Sequence, residues 1–258
     1  MGKIALVTGA TSGIGASFTR FLAAKGYDLV LVARDEKRLR DCAEELLEKY
    51  GVTSEIISAD LSTSDGMRIV ENRIKKFLDP IEVLINNAGF GIRESFLESN
   101  IDEEENLINL LAKAPMRLMH AALPIMKSRN IGVIINVSSL AAWLTSGTYS
   151  ASKSYLTVLS ESLHTELRGT QVKVLALAPG FTRTEFHQRS GMKMKGLPPF
   201  LWLDADEIVE KAWDDALKGE ALSIPGWQYG LLSAIARFGP RPMVRRLGIK
   251  IRARQRRK

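Results

Sequence analysis

Residues 3–18 read KIALVTGATSGIGASF, and this stretch decides the fold. An apolar run at 3–8 leads directly into glycines at 9, 13 and 15, and a helical pattern follows through Phe18, Phe21 and Leu22. Glycines at such a strand-to-helix turn let the backbone bend sharply and approach a pyrophosphate, whose charge is favoured at the positive end of a helix. The spacing is G-x-x-x-G-x-G rather than G-x-G-x-x-G, so on this stretch alone a glycine-rich turn without a ligand remains open.

Outward from this turn, short apolar runs alternate with longer amphipathic stretches. A helical pattern after the fifth run, for example, contains Leu156, Leu159, Leu163 and Leu167. Runs that are apolar on both faces and separated by helices predict a parallel sheet covered on each side. We therefore expect one doubly wound α/β domain over residues 1–258. Its predicted strands are 3–8, 28–33, 53–59, 81–86, 132–138, 172–178 and 221–225.

The composition is that of an ordinary globular protein, with 45% apolar and 25% charged residues in a chain of 258. With one cysteine, Cys42, no internal disulfide can form, and a reducing compartment fits. The chain has no run of 18 apolar residues and no signal-peptide pattern, so we expect a cytoplasmic protein. His120, His164 and His187 lie far apart in the sequence, and they predict no metal site.

The net charge of +7 comes from the C-terminus. Residues 239–258 hold nine Lys or Arg and no acid, which leaves 27 of the 36 basic residues against 29 acidic ones elsewhere. This distribution argues against a nucleic-acid-binding face on the main domain. Aromatic and aliphatic residues precede the basic tail, a composition typical of peripheral contact with an anionic membrane, although a solvated tail is an alternative.

The end of the second predicted strand bears on the choice of nucleotide. A site that prefers NAD usually places Asp or Glu there to hold the ribose 2′-hydroxyl, but this chain has Ala33 followed by Arg34. A guanidinium can bind a 2′-phosphate through charge-assisted hydrogen bonds. The pattern favours NADP over NAD, unless Arg34 is simply a solvated residue that opens the next helix.

Taken together, the motifs resemble those of the short-chain dehydrogenase/reductase family over nearly the whole chain. The order and spacing of the motifs carry the resemblance, since each motif is weak on its own. They are TGATSGIG at 8–15, Asp60-Leu61, NNAG at 86–89, Asn109, the serine pair 138–139, YSASK at 149–153 and PGFTRT at 179–184.

The resemblance implies a set of nucleotide contacts along one edge of the sheet. Asp60 and Leu61 would border the adenine. Asn86, Ala88 and Gly89 of the NNAG motif would line the cofactor behind the fourth strand. The contacts implied at the glycine loop and beyond are Thr8, Gly9, Thr11, Ser12, Gly13, Ile14, Gly15, Asn87, Ala88, Gly89, Pro179, Gly180, Thr182 and Thr184.

Tyr149 and Lys153 are the candidates for proton transfer. Moving a hydride between a nicotinamide and a carbonyl carbon requires an acid at the carbonyl oxygen. Lys153 follows Tyr149 by four residues on a predicted helix, so the two side chains share a face. The ammonium and an oxidised nicotinamide would favour phenolate and lower the pKa of Tyr149. By the resemblance, Lys153 also holds the nicotinamide ribose.

Ser139 follows the fifth strand, where open α/β sheets bind their ligands, and its hydroxyl would bind the substrate oxygen. The interval from Ser139 to Tyr149 is ten residues, whereas thirteen is the common spacing in the family, so Ser138 remains the alternative. Asn109 matches the family position that supports a proton relay through the lysine. An Asn that faces solvent from a helix is the simpler interpretation of that residue.

Residues 185–203 are rich in Gly, Pro, Met and aromatics and predict a lid over the substrate. Its apolar side chains favour a hydrophobic carbonyl or alcohol, or else pack onto the domain or a second subunit. We predict an NADP-dependent oxidoreductase that is a homo-oligomer, a dimer or a tetramer. The rival hypothesis is a regulatory or scaffolding protein that binds the nucleotide without turnover.

Overall fold

The computed structural model describes residues 2–185, 198–246 and 248 of the chain. Within them, seven strands form one sheet: β1 (Ile4–Thr8), β2 (Asp28–Ala33), β3 (Ser54–Ser58), β4 (Ile81–Asn86), β5 (Gly132–Val137), β6 (Val172–Leu177) and β7 (Leu222–Ser223). Their order is β3-β2-β1-β4-β5-β6-β7, and every neighbouring pair is parallel. The predicted doubly wound α/β fold is confirmed, although β7 has only two residues.

Helices follow the strands in alternation. They are α1 (Gly13–Ala24), α2 (Glu36–Tyr50), α3 (Ser64–Ile74), α4 (Ile101–Ile108), α5 (Ala114–Arg129), α6 (Gly147–Glu166), α7 (Ala205–Lys218) and α8 (Trp227–Phe238). A π-helical turn, Asn109–Lys113, joins α4 to α5, and short 3₁₀ turns span Leu140–Trp143 and Pro199–Leu201.

Two apolar layers hold the helices on the two faces of the sheet. Alternate residues of each strand point to opposite faces. Val7 therefore joins the layer that buries Phe18 of α1 and Trp213 of α7, whereas Leu6 joins the layer that buries Met67 of α3 and Leu118 of α5. Both faces are covered, which is why the strands are apolar throughout.

Side-chain caps set where several helices begin. Asp35 accepts a hydrogen bond from the Arg38 backbone N–H at 3.1 Å, and Thr63 accepts one from that of Gly66 at 3.1 Å. The side chains of Asn100 and Asp204 each accept a hydrogen bond, at 2.8 Å, from the backbone N–H of the residue two positions later. Such caps satisfy backbone donors that the helix leaves unpaired.

The sheet topology creates a crevice at one edge. β1 lies between β2 and β4, so the chain leaves β1 toward one side and later returns to the other. In open parallel sheets this switch point, at the carboxyl ends of the strands, is where ligands bind. The glycine loop, the Asn86-Asn87 pair and the Ser138-Ser139 pair all follow strands at that edge.

The start of the predicted tail is packed on the domain at some positions and exposed at others. Val244 is buried, and the backbone at Gly248 lies so close to Thr145 that a Cβ there would be 2.8 Å from the Thr145 hydroxyl oxygen. Arg241, Arg245 and Arg246 are exposed. Most of the predicted lid, 186–197, and the end of the tail, 249–258, lie outside the described residues. Among the residues described, no helix has the length and apolar character to cross a bilayer.

Candidate active site

The glycine loop between β1 and α1 has a backbone conformation and close contacts that side chains at its glycines would disrupt. Gly9 and Gly13 adopt φ values of +66° and +54°, a region that favours glycine. A Cβ at Gly15 would lie 2.1 Å from the Gly9 carbonyl oxygen. The loop thus brings bare backbone to the N-terminus of α1, an arrangement suited to a pyrophosphate.

Thr8 and Asn87 tie this loop to the end of β4. The Thr8 hydroxyl accepts hydrogen bonds from the backbone N–H groups of Asn87 at 2.9 Å and Ala88 at 3.1 Å. The Asn87 amide donates to the carbonyl oxygens of Thr8 at 3.0 Å and Gly9 at 3.2 Å. The side chain of Asn87 therefore supports the glycine loop, and Gly89 lies beyond it against Leu111.

Asn86 points the other way, into the domain. Its amide donates to the Asn136 side chain at 2.8 Å, and the Asn136 amide donates to Ser160 on α6 at 2.8 Å. The Asn86 side-chain oxygen is buried and has no hydrogen-bond partner among the described residues. A narrow cavity beside it is lined by Thr8, Asn86, Leu110, Leu111, Val137 and Lys153, among others.

The end of β2 presents an exposed arginine, as the sequence predicts. Arg34 is exposed, and its carbonyl oxygen accepts a hydrogen bond from the Ser58 hydroxyl at 3.0 Å. The carboxylate of Asp60, after β3, accepts hydrogen bonds from the Ser62 backbone N–H at 2.9 Å and from the Ser62 hydroxyl at 2.8 Å. Leu61 is buried beside it.

Arg38 is a residue of this region that the sequence analysis missed. Its guanidinium donates to the Thr11 carbonyl oxygen of the glycine loop at 3.0 Å and pairs with Glu185 at 3.2 Å. Arg38 lies in the first turn of α2, four residues after Arg34. Arg34 lies before the helix, whose first residue is Glu36, so helical spacing does not relate the two arginines, and no sequence signal pointed to the contact of Arg38 with the glycine loop.

Tyr149 and Lys153 lie one turn apart on α6. Tyr149 is hydrogen-bonded to Ser139, which acts to lower the pKa of Tyr149, but desolvation is the larger effect and raises that pKa to about 12. Desolvation lowers the pKa of Lys153 to about 8. The Lys153 ammonium donates to the Val137 carbonyl oxygen at 2.6 Å and lies 5.8 Å from the centre of the Tyr149 ring.

Without a bound nucleotide, desolvation is the larger influence on the pKa of both groups, and the Lys153 ammonium bonds to the end of β5. The phenol is therefore protonated at neutral pH. The expected lowering of the Tyr149 pKa involves the lysine together with an oxidised nicotinamide, and it stays a prediction.

The two adjacent serines have different surroundings. Ser138 is buried, its hydroxyl donates to the Lys153 carbonyl oxygen at 3.0 Å, and it lies 2.7 Å from the Thr157 hydroxyl. Ser139 instead bonds to Tyr149 and accepts a hydrogen bond from the Ala141 backbone N–H at 3.1 Å. The shortened loop still brings Ser139, rather than Ser138, to the tyrosine.

Asn109 opens the π-helical turn between α4 and α5. Single π-helical turns occur frequently at functional sites, because they leave the regular backbone ladder. The next two residues, Leu110 and Leu111, line the cavity beside Lys153. Asn109 itself is partly buried, not fully exposed to solvent.

The segment after β6 lies across the glycine loop. The Pro179 carbonyl oxygen accepts a hydrogen bond from the Leu140 backbone N–H at 3.2 Å. Thr182 is buried, and a Cβ at Gly13 would lie 3.0 Å from the Cβ of Thr184. Thr184 therefore closes over the turn where α1 begins.

Tyr229 of α8 holds this segment in place and was not singled out for this role from the sequence. Its ring packs on Gly180, where a Cβ would lie 2.1 Å from the ring. Its hydroxyl accepts a hydrogen bond from the Phe181 backbone N–H at 3.0 Å and donates to the Leu201 carbonyl oxygen. The tyrosine thus joins the segment after β6 to Leu201 in the predicted lid.

Comparisons with known proteins agree with this geometry. A protein-family model described as short chain dehydrogenase matches residues 3–195. The chain is 35% identical over 192 residues to an NADP-dependent 3-hydroxy acid dehydrogenase of Schizosaccharomyces pombe, covering 72% of this chain and 73% of that protein.

Two solved structures extend the likeness to the whole chain. One is a short-chain dehydrogenase from Sphingobium yanoikuyae in complex with NADPH, with a TM-score of 0.83 and 32% identity, covering 99% of this chain and 98% of the other. The second is a bulky-bulky ketone specific alcohol dehydrogenase from Comamonas testosteroni, with a TM-score of 0.79 and 30% identity, covering 99% and 96%.

Proposed function

Since the chain belongs to the short-chain dehydrogenase family and is an NAD(P)-dependent dehydrogenase/reductase, we propose that Tyr149 is its catalytic acid/base for a carbonyl or alcohol substrate. The observation that carries this proposal is the hydrogen bond between Ser139 and Tyr149, with the buried Lys153 one turn further along α6. Ser139 orients the substrate oxygen, and Lys153 and Asn109 complete the group.

Side chains of the protein donate the proton and bind the substrate oxygen. Tyr149, protonated at neutral pH, donates its phenolic proton to the carbonyl oxygen. Ser139 donates a hydrogen bond to the same oxygen as negative charge develops there. Lys153 then returns a proton to the Tyr149 phenolate and takes one in turn from solvent, a relay in which Asn109 is the proposed support. When bound, the nicotinamide nucleotide supplies the hydride for reduction or accepts it in the reverse direction.

We assign the nucleotide site to the crevice at the switch point. Gly9, Gly13 and Gly15 fit a pyrophosphate, because their bare backbone meets the start of α1. The remaining proposed contacts are Thr8, Thr11, Ser12, Ile14, Asp60, Leu61, Asn87, Ala88, Gly89, Pro179, Gly180, Thr182 and Thr184. The side chains of Asn87 and Asp60 already bond within the protein, so their part is to shape the site.

The preferred nucleotide in this proposal is NADP. The exposed Arg34 after β2 supports it, since β2 ends in Ala33 where an NAD site usually has a carboxylate, and the Asp35 side chain caps the next helix. The relative from Schizosaccharomyces pombe is named as NADP-dependent, and the structure from Sphingobium yanoikuyae is a complex with NADPH.

A hydrophobic carbonyl compound is the substrate class that we propose. Phe181 and Trp202 lie with ring centres 6.3 Å apart beside the predicted lid, and Phe200 is exposed next to them. The ketone specificity named for the Comamonas testosteroni enzyme is consistent with this class. A homo-oligomeric state and a cytoplasmic location remain predictions of the sequence.

Turnover with purified protein tests the proposed function. NADPH and NADH are each mixed with a panel of ketones and aldehydes, and oxidation of the nucleotide is followed by absorbance. We expect turnover with NADPH, and we expect Tyr149→Phe to reduce it about a hundred-fold or more while NADPH binding persists. Tyr155→Phe, on the same helix but partly exposed, is the matched control. Activity of Tyr149→Phe within a few-fold of the parent would refute the assignment.

A further inference from the structure

The outward face of α8 is apolar where a solvated helix would be polar. Trp227, Leu231 and Phe238 are 81%, 61% and 82% exposed, and Ile235 lies beside them. Their spacing places them on one stripe of the helix, opposite the buried Tyr229, Ser233 and Ala236. An exposed apolar stripe of this kind marks an interaction surface.

Phe200 extends this stripe beyond the helix. It is 64% exposed, and its carbonyl oxygen accepts a hydrogen bond from the Gln228 amide of α8 at 3.1 Å. We call Phe200, Trp227, Leu231, Ile235 and Phe238 the α8 face.

Basic residues lie in the helix of the α8 face and directly after it in the sequence. Arg237 belongs to the helix and lies 3.9 Å from the Glu161 carboxylate, and Arg241, Arg245 and Arg246 follow it at exposed positions. From residue 221 to the end of the sequence there is no Asp or Glu, and Glu220 is the last acid of the chain. A surface of this charge fits an anionic partner.

We propose that the α8 face binds an anionic lipid bilayer as a peripheral, interfacial helix. Trp, Leu and Phe on one face with basic residues at its border are the features by which such helices bind, since the apolar side chains enter the boundary of the acyl chains while arginines contact the headgroups. A second copy of this chain fits less well, because a symmetric contact would bring two copies of this basic surface together.

The α8 face lies near the proposed catalytic cleft, so its binding to a bilayer would bring the cleft close to the membrane. This step rests on the proposed function. The Arg237 guanidinium lies 5.4 Å from the centre of the Trp143 ring, in the 3₁₀ turn that follows Ser139. Tyr229, on the buried side of α8, bonds to Phe181, before the predicted lid, and to Leu201 within it. Binding through this face would place the mouth of the cleft beside the membrane, where hydrophobic carbonyl compounds dissolve.

Vesicle sedimentation tests the proposal without any measurement of turnover. The full chain is mixed with vesicles of phosphatidylcholine alone or with added phosphatidylglycerol. We expect binding to the anionic vesicles, and we expect Leu231→Asp with Phe238→Asp to weaken it roughly a hundred-fold, because two apolar side chains no longer leave water. Phe77→Asp with Leu97→Asp, at exposed positions elsewhere, is the control and should bind like the parent.

Two further measurements decide against other occupants of the α8 face. Arg245→Gln with Arg246→Gln should weaken binding to anionic vesicles, and added salt should weaken the binding of the parent. Light scattering gives the oligomeric state of the parent and the Asp variant. Absence of vesicle binding, equal binding by the Leu231/Phe238 variant, or an oligomer that this variant alone converts to monomer would overturn the proposal, the last by assigning the face to a second copy.

Discussion

At the scale of single residues, desolvation shifts the pKa values of Tyr149 and Lys153, the proposed catalytic pair. Lys153 is only 4% exposed, and its ammonium has a carbonyl oxygen, not a carboxylate, as its hydrogen-bond acceptor. A buried ammonium without a counter-ion is unfavourable, so its pKa falls, and the same desolvation raises the pKa of the neighbouring phenol. Both groups are therefore shifted toward their neutral forms in the protein alone.

The lysine should give the protein a measurable pH dependence of stability. Below about pH 8 Lys153 is charged in both the folded and the unfolded chain, and its burial cost is constant. Between this pKa of about 8 and the ordinary value of 10.5, only the unfolded chain keeps the proton, so stability rises with pH. We expect the free energy of unfolding of the parent to rise relative to Lys153→Met by about 1 kcal/mol per pH unit above pH ~8. Urea unfolding of both proteins without nucleotide measures it, and parallel curves would contradict it.

Arg34 should decide the choice of nucleotide. Arg34→Ala removes a charged hydrogen-bond donor to a 2′-phosphate, which costs about 1.5–3 kcal/mol, whereas NADH has no such phosphate. We expect the KM for NADPH to rise about ten-fold or more and that for NADH to stay nearly unchanged. Arg40→Ala, at an exposed position of α2 paired with Glu36, is the control. Equal losses for both nucleotides would mean that Arg34 is not the phosphate partner.

At the scale of elements, α8 acts on the site through its contact with the segment after β6. Gly180 leaves room for the Tyr229 ring, and the Tyr229 hydroxyl bonds to both Phe181 and Leu201. Two stretches that are separated along the chain, 179–184 and 199–203, are thereby held by one side chain. The helix thus supports the segment that contains Thr184, a proposed nucleotide contact that is distant from α8 in the sequence.

Two glycine variants separate this contact from a general effect on α8. Gly180→Ala would place a methyl group about 2 Å from the Tyr229 ring, so the ring must move and the segment 181–184 with it. We expect a loss of stability of about 1–3 kcal/mol and a higher KM for NADPH. Gly230→Ala meets open space on a helix, so it should leave the KM unchanged and keep or raise stability. Thermal unfolding and steady-state kinetics measure both effects, and identical behaviour of the two variants would exclude the proposed support.

At the scale of the whole molecule, two residues near the C-terminus, Val244 and Gly248, pack on the domain. Val244 is buried, and Gly248 lies against Thr145 in the loop that leads to Tyr149. The basic residues beyond, 249–258, follow this contact in the sequence. Removing the whole predicted tail would therefore also remove packing on the loop that leads to Tyr149, the proposed acid/base.

Two truncations should consequently behave differently. Deletion of residues 249–258 should leave turnover of a soluble carbonyl compound near that of the parent. Deletion of residues 241–258 should lower the free energy of unfolding by about 2 kcal/mol or more through loss of Val244, and it should reduce turnover. Unfolding curves and steady-state rates give both quantities. Equal activity of the two proteins would show that the contact at Thr145 does not matter.

The sequence by itself determined the architecture and most of the candidate site. Residues 3–8 form a largely apolar run, which predicts a strand that is buried on both faces. A strand with one face in water would instead alternate apolar and polar residues. The glycines at 9, 13 and 15 predict the turn after it, since their backbone geometry excludes side chains. The i, i+4 interval from Tyr149 to Lys153 predicts a shared helical face, because 3.6 residues make one turn.

Only the tertiary structure decided which groups meet across the chain and how burial changes their chemistry. The choice between Ser138 and Ser139 depends on how α6 packs on the end of β5, a contact that spacing does not encode. The pKa of Tyr149 moves upward because desolvation exceeds the effect of its neighbours, and desolvation depends on the whole fold. Arg38 at the glycine loop and Tyr229 at Gly180 are likewise joined to their partners only by folding, since their contacts span long separations along the chain.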